Sequence, residues 1–227
     1  MSGAFPAPYP VFVDLNGRRA PVVGAGHVAA RKVAGLLRSG AQVTVVAPTA
    51  VTEIAEDPDV RWHQREYRRG EVASYSIAIT ATDHPDVNRQ VARDANAANV
   101  WVNSADDPDN CSFILPSVVR RGDLQIAAST NGRSPAMAQW VRRRLEATFT
   151  DVHAAALDVL ADVRAEVRAV HGTSEIDGWV EAIGDGFFEL VAAGDHGAAR
   201  DHLRRAVLSA ASVRGGPDAN GELGAAS

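Results

Sequence analysis

The feature that most constrains the fold is a glycine run set between a β-branched stretch and a helical one. Ala20-Pro21-Val22-Val23 reads as a strand, Gly24-Ala25-Gly26-His27-Val28-Ala29 follows as G-x-G-x-x-A, and residues 27–39 read as a helix ending at Gly40. The first glycine allows a tight turn, the second lets a pyrophosphate approach the backbone, and Ala29 keeps the helix close to the strand. The helix N-terminus then offers unpaired N–H donors to an anion. A glycine turn that binds nothing would have the same local sequence; the strand before it and the helix after it favour the dinucleotide reading.

The rest of the first half repeats this alternation, the pattern of βαβ units and a parallel sheet. VFVDL (11–15) and APVVGAG (20–26) predict strands around a turn at Asn16-Gly17. QVTVVAP (42–48) predicts the second parallel strand, SIAITAT (76–82) and VWVNSAD (100–106) two later ones, and 85–99 a helix capped by Asp83 or Asp86. Pro21 lacks a backbone donor, so its strand, which should be central, is expected to begin late. The fold class is α/β, with a Rossmann-like parallel sheet over residues 1–112. FILPSVVRRGDLQIAAST (113–130) then gives two apolar runs around a polar turn at Arg121-Gly122-Asp123, followed by a helix from about Pro135 to Phe149. Residues 113–150 are the candidate active-site and dimerisation segment. Val152, Ala156, Val159, Val163, Val167 and Val170 recur at helical spacing, so 151–211 predict a small all-helical domain. Residues 212–227, rich in Gly, Ala and Ser, are expected to form a disordered tail.

Composition narrows the partners. The net charge is −5 with acidic residues spread along the chain, so the basic field that nucleic-acid binding requires is missing. Lys32 is the one lysine beside 22 arginines, which reads as compositional bias. There is no run of about 18 apolar residues, and MSGAFPAPYP lacks the basic start and apolar stretch of a secretion signal. A soluble cytoplasmic protein with no membrane partner is expected. Cys111 is the single cysteine, which excludes an internal disulfide and a cysteine-built zinc site, and it reads as a small buried side chain. The seven histidines show no H-x-x-x-H or H-x-x-E-H spacing that would place a metal site on one helix face, so no protein-bound metal is assigned.

The end of the second strand, Val45-Val46-Ala47-Pro48, offers neither the carboxylate that normally holds an adenosine ribose nor an arginine for a 2′-phosphate. Backbone groups around Ala47 and Pro48 are left for the ribose. Thr80, Thr82 and Asp83, at the C-terminal end of a strand, lie where such sheets bind ligand.

Five collinear stretches carry a resemblance: VVGAGHVAARK (22–32), ATD (81–83), VNSADDP (102–108), CSFILPS (111–117) and STNGRSP (129–135). Together they are similar to the precorrin-2 dehydrogenase family, which includes the dehydrogenase/ferrochelatase module of siroheme synthase. The likeness covers about residues 8–150 and, more loosely, the chain to about 210. It implies an oxidoreductase of siroheme biosynthesis that oxidises the tetrapyrrole precorrin-2 to sirohydrochlorin with NAD. Some members also insert Fe2+, which would enter as a substrate, and a homodimer is implied. A chain of this length is expected to receive precorrin-2 from a separate methyltransferase.

Asp106 corresponds to the family's functionally important aspartate and is the implied catalytic group, a carboxylate at a strand end able to accept a proton. Asp106-Asp107-Pro108 is also ordinary turn chemistry. Asn103 has three readings: touching the cofactor, orienting its loop, or satisfying buried backbone groups. Ser129, Thr130, Asn131, Gly132, Arg133 and Ser134 join a strand to a helix, where hydroxyls and N–H groups could receive substrate carboxylates. Many family members have glycine at Asn131 and a small hydroxyl residue at Arg133. Arg133 either grips a propionate in bidentate fashion or is a solvated loop arginine. Arg142, Arg143 and Arg144 read as a solvated face or as dimer salt bridges.

Other readings differ in what they need. A non-catalytic NAD-sensing domain needs neither Asp106 nor the 129–134 loop. A protein that is mainly a chelatase would turn over metal without NAD. A dehydrogenase of another small substrate would show a Lys-Asp pair or a histidine dyad in the later half, and none is present.

Overall fold

The computed structural model describes residues 8–105, 107–175 and 177–214. They form two compact units, residues up to 116 together with 129–135, and residues 117–128 together with those from 136 onward.

In the first unit β1 (Arg19–Val23), β2 (Gln42–Ala47), β3 (Val60–Gln64), β4 (Ile77–Thr80) and β5 (Trp101–Ser104) form one parallel sheet in the order β3-β2-β1-β4-β5. The helices of this unit are α1 (His27–Arg38), the single turn α2 (Thr52–Ala55) and α3 (Pro85–Ala97). A parallel sheet must be covered on both faces, which is why its central strands are near-continuous Val, Ile and Ala. Val22, Val45 and Ile79 pack on one face with Ala29, Val33 and Leu36 of α1. Ala78 and Val102 pack on the other with Val91, Ala92 and Ala95 of α3. Val91 is fully buried, so truncating it to alanine should cost about 2 kcal/mol, two methyl groups plus the space they leave.

Several expectations need correction. Residues 11–15 form no strand: β1, their expected partner across the Asn16-Gly17 turn, already has β2 and β4 on its two edges, so the expected hairpin is closed to them. Val11, Phe12 and Val13 are exposed, and Leu15 alone of the stretch enters the core. β1 begins at Arg19 rather than late, with Pro21 inside it. Gly24 donates to Val46 of β2, whereas the Val23 carbonyl serves Ala81 beyond β4, so odd-numbered residues of β1 face β4. Pro21 therefore points its donor-less nitrogen toward β4, one residue before the Val22–Ile79 pairing starts, and no ladder bond is lost. The strands expected at 20–26, 42–48, 76–82 and 100–106 end at Val23, Ala47, Thr80 and Ser104. Neither Asp83 nor Asp86 caps α3; His84 occupies the cap position with Pro85 behind it, and its own side chain makes no cap bond. β3, α2 and a short 3-10 turn (Glu71–Ser74) lie where no element was expected, since the edge strand Val-Arg-Trp-His-Gln is too polar to read as one.

The crossover from β3 to β4 is clamped by two carboxylates. Glu71 takes both terminal nitrogens of Arg65 at 3.0 and 2.6 Å and the Arg68 N–H at 2.7 Å. Asp94 accepts from the Tyr67 hydroxyl (2.9 Å), the Gly70 N–H (2.7 Å) and Gln90 (2.7 Å). Burial opposes ionisation of both acids, yet these donors outweigh it and hold both below the ordinary carboxylate range. Burial, reinforced by Asp94, pushes the Tyr67 hydroxyl well above its usual value.

The second unit contains the antiparallel pair β6 (Ser117–Arg121) and β7 (Leu124–Ala128), closed by a two-residue turn at Gly122-Asp123. After it come α4 (Pro135–Thr148), α5 (Asp151–His171), α6 (Trp179–Ala182), α7 (Asp185–Ala192) and α8 (His196–Arg214). Ala156, Val159, Val163 and Val167 of α5 pack with Phe187, Leu203 and Val207. Val170, in the same sequence pattern, lies on the last turn of α5 and is exposed instead. α8 continues to Arg214, past the expected domain end at 211; residues 215–227 of the expected tail lie outside the described residues.

Candidate cofactor and substrate site

Strand order reverses at β1: the chain runs outward from it through β2 and β3 on one side, then crosses to β4 and β5 on the other, and sheets of this kind bind ligand at the strand C-termini beside such a point. The strand ends there are stitched together: Gly24 N–H to Val46 O (3.0 Å), Ala81 N–H to Val23 O (2.8 Å) and Ala105 N–H to Thr80 O (2.8 Å). That brings Gly24, Ala47, Thr80 and Asn103 to one edge of the sheet.

Gly24 has φ +103°, and a Cβ on it would lie 2.3 Å from the Ala81 carbonyl oxygen. Only glycine lets the β1 end sit this close to the β4 end. Gly26 is different: a Cβ there would meet nothing within 4 Å. It is the N-cap of α1, with no side-chain cap bond and no acidic residue in the first turn. The first bond inside the helix runs from Ala30 N–H to Gly26 O, so the N–H groups of the first turn are left for an anion. The open space over Gly26 and these donors fit a dinucleotide pyrophosphate. Ala25 is buried, and its carbonyl takes the Val51 N–H at 2.9 Å. Val28 is half-buried, and His27 is exposed with Nδ1 3.5 Å from Glu53.

At the end of β2 the Ala47 carbonyl accepts the Trp62 indole N–H at 3.0 Å, so one backbone group expected to serve the ribose already has a partner. Pro48 is exposed beside it. Thr80 is fully buried and its hydroxyl donates to Asn88 Oδ1 at 2.6 Å, which turns it away from the crevice. The Thr82 hydroxyl lies 2.8 Å from the same oxygen, while the Asp83 side chain is solvated near His84.

Asn103 is buried and its amide donates to the Phe113 carbonyl at 3.0 Å, tying the far end of the 105–113 loop back to β5. Ser112 continues the tie, its hydroxyl accepting the Val102 N–H at 2.7 Å. Cys111 Sγ accepts the Ser104 N–H at 3.2 Å and lies 3.3 Å from the Asp107 carbonyl. Burial pushes this thiol above its usual value, so it is a poor nucleophile. Ser104 Oγ is buried and, among the described residues, has no hydrogen-bond partner. Asp106 lies outside the described residues; its neighbours Ala105 and Asp107 are held by the bonds above.

The 129–135 loop groups with the sheet unit. Asn131 and Gly132 both have positive φ (53° and 73°), and Arg133 N–H bonds to Thr130 O at 3.1 Å, the geometry an Asn-Gly pair favours. The Ser129 and Thr130 hydroxyls accept the Asn131 and Ser134 N–H groups at 3.0 and 3.2 Å, so they build the loop. Gly132 and Arg133 are exposed and Ser134 is half-buried.

Among the described residues no group of three His, Cys, Asp or Glu side chains could hold a metal ion, and no helix is long and apolar enough to cross a membrane. A depression of about 420 Å3 lined by Arg19, Gln42 and Arg61 lies at the N-terminal edge of the sheet, the wrong end for this chemistry.

Sequence reasoning missed Asn88 and Trp62. A Thr-x-Thr at a strand end followed by an asparagine in the next helix was a readable signal for the first; nothing local marks the second.

Residues 11–117 match an NAD(P)-binding family, and residues 121–148 match the family described as the central region of sirohaem biosynthesis proteins. The siroheme synthase of Nitrosomonas europaea is 34% identical over 204 residues, covering 87% of this chain and 43% of that protein. The siroheme synthase of Tolumonas auensis is 36% identical over 176 residues, covering 76% of this chain and 38% of that protein. This chain thus spans less than half the length of these relatives. Among solved structures, SirC, a precorrin-2 dehydrogenase, superposes with a TM-score of 0.70 at 24% identity, covering 87% of this chain and 98% of that one, and so shares the fold.

Proposed function

We propose that this chain is an NAD-dependent precorrin-2 dehydrogenase, an oxidoreductase acting in the cytoplasm; its matches to an NAD(P)-binding family and to the central region of sirohaem biosynthesis proteins, and its similarity to siroheme synthases, support that reading. The observation that carries this reading is the glycine turn, where Gly24 is pressed under the Ala81 carbonyl while Gly26 stays open above an uncapped helix N-terminus.

In this reading the first-turn N–H groups of α1, from His27 and Val28, hold the pyrophosphate, and the Ala47-Pro48 backbone faces the adenosine ribose. Thr82 and Asp83 line the crevice at the β4 end, and Asn103 and Thr80 act from beneath it. When bound, the nicotinamide supplies the acceptor for a hydride. Oxidation of precorrin-2 to sirohydrochlorin removes that hydride and one proton, and Asp106 takes the proton. That role rests on the family resemblance. Arg133 and the Asn131-Gly132 backbone receive substrate carboxylates.

The working form is a homodimer. No residue of α4 is buried within the chain, and it exposes Met137 and Trp140 at 51% and 59%, an apolar face suited to a second copy.

The test is anaerobic turnover of enzymatically generated precorrin-2, following NADH and the sirohydrochlorin spectrum. Product that forms only when NAD+ is present supports the assignment. A folded, NAD-binding protein that forms none would return the chain to the sensor reading.

A further inference from the structure

Resting on the dinucleotide reading of the crevice, we infer that Asn88, in the first turn of α3, is a positioning residue of the cofactor site. Its side chain is 6% exposed, and every bond it makes goes to two threonines at the end of β4. Oδ1 accepts the Thr80 hydroxyl at 2.6 Å, the Thr82 hydroxyl at 2.8 Å and the Thr82 N–H at 3.3 Å; Nδ2 donates to the Thr82 carbonyl at 2.9 Å.

This amide serves neither of the usual ends. It does not cap its own helix: none of its side-chain bonds goes to the first-turn N–H groups, and the N–H of the cap residue His84 is taken by the Thr82 hydroxyl at 3.1 Å. Nor is an amide needed for the core below it, where Val91, Ala92 and Ala95 are packed without polar groups. A buried amide with this many partners is a rigid clamp, and its loss would leave the fully buried Thr80 hydroxyl without the acceptor it has at 2.6 Å.

The clamp acts on Ala81. That residue sits between the two threonines, and its carbonyl is the atom under which Gly24 is pressed. Asn88 therefore fixes the floor on which the glycine turn rests, and with it the depth of the pyrophosphate seat. Holding the loop in its binding shape before the ligand arrives spares the ordering cost on binding. Asn88 acts on the cofactor through Thr82 and Ala81, so its loss should appear in cofactor binding rather than in the chemical step.

The experiment is calorimetric titration of NAD+ into wild type, Asn88→Ala, Thr80→Val and a control, Val91→Ala. Val91 lies on the same helix and is fully buried, so the control loses stability without touching the loop. Asn88→Ala should weaken NAD+ about tenfold, the equivalent of one to two lost hydrogen bonds. Thr80→Val, which removes the shortest bond with little change of shape, should weaken it about threefold. Val91→Ala should bind as wild type does. In steady state, Asn88→Ala should raise KM for NAD+ by the same factor and leave kcat and KM for the tetrapyrrole unchanged. If Asn88→Ala does not fold, Thr80→Val decides alone. Variants that bind NAD+ as tightly as Val91→Ala would overturn the inference while leaving the dinucleotide reading intact. A wild type that does not bind NAD+ would overturn the dinucleotide reading itself.

Discussion

Replacing Gly24 and Gly26 by alanine, one at a time, separates what the glycine turn does for the fold from what it does for the ligand. At Gly24 the new methyl would sit 2.3 Å from Ala81 O and 2.7 Å from Ala81 C, both backbone atoms. That backbone is latched to β1 by the 2.8 Å bond from Ala81 N–H to Val23 O, so it cannot yield without opening the ladder. A non-glycine residue held at φ +103° adds strain of about 1–3 kcal/mol, and displacing close-packed neighbours adds about 1–3 more. The expected loss of about 2–6 kcal/mol is a large fraction of an ordinary domain's stability of about 5–15 kcal/mol. At Gly26, φ is −83° and the space is empty. Alanine is a poorer N-cap than glycine, but it restricts the unfolded chain and so returns about 0.4–1 kcal/mol. Stability should stay within about 1 kcal/mol, while the methyl occupies the place of the pyrophosphate and weakens NAD+ by about tenfold or more. Urea unfolding and calorimetric NAD+ titration of both variants give the two numbers. A Gly26→Ala protein that binds NAD+ normally would refute the assignment of the α1 N-terminus. A Gly24→Ala protein as stable as wild type would refute the close-approach argument.

Trp62→Phe removes the indole donor from Ala47 O, and urea unfolding should report a loss of about 1 kcal/mol with a weaker NAD+ titration; an unchanged pair of values would mean that bond is idle. Asp94 and Glu71 are held below the ordinary carboxylate range when folded, so their contribution is complete above the unfolded values near about pH 4 and is lost as pH falls through the lowered ones. The urea midpoint should drop on acidification below about pH 5, and less steeply in Asp94→Asn; equal slopes would remove Asp94 from the account. Trp140→Asp on α4 should convert a dimer to a monomer in light scattering with the helical circular dichroism unchanged, whereas an unchanged mass would place the interface elsewhere.

What was legible in the sequence was whatever is encoded locally. The strand, glycine turn and α1 follow from one contiguous stretch, and the β6–β7 turn from the polar Arg121-Gly122-Asp123. The errors arose where a neighbour decides. Residues 11–15 have strand-like alternation, but both edges of β1, their expected partner across the Asn16-Gly17 turn, are already taken. Pro21 is tolerated only because of which side of β1 it faces. β3 is too polar to read alone and exists because β2 leaves it an edge. The site divides in the same way. The backbone seat at Gly24 and Gly26 was readable, but the partners of Thr80, Ala47 and Asn103 are Asn88, Trp62 and Phe113, set by how the crossovers return to the sheet.

The central claim is that this chain oxidises precorrin-2 with NAD+ and that Asp106 takes the proton. Its most direct test is anaerobic single turnover of precorrin-2 with saturating NAD+, comparing wild type with Asp106→Ala after titration has established that both bind NAD+ equally. NADH and sirohydrochlorin should rise together in the wild type and largely fail in the variant. A variant that forms both at the wild-type rate would contradict the role of Asp106, and a wild type that forms neither would contradict the dehydrogenase itself.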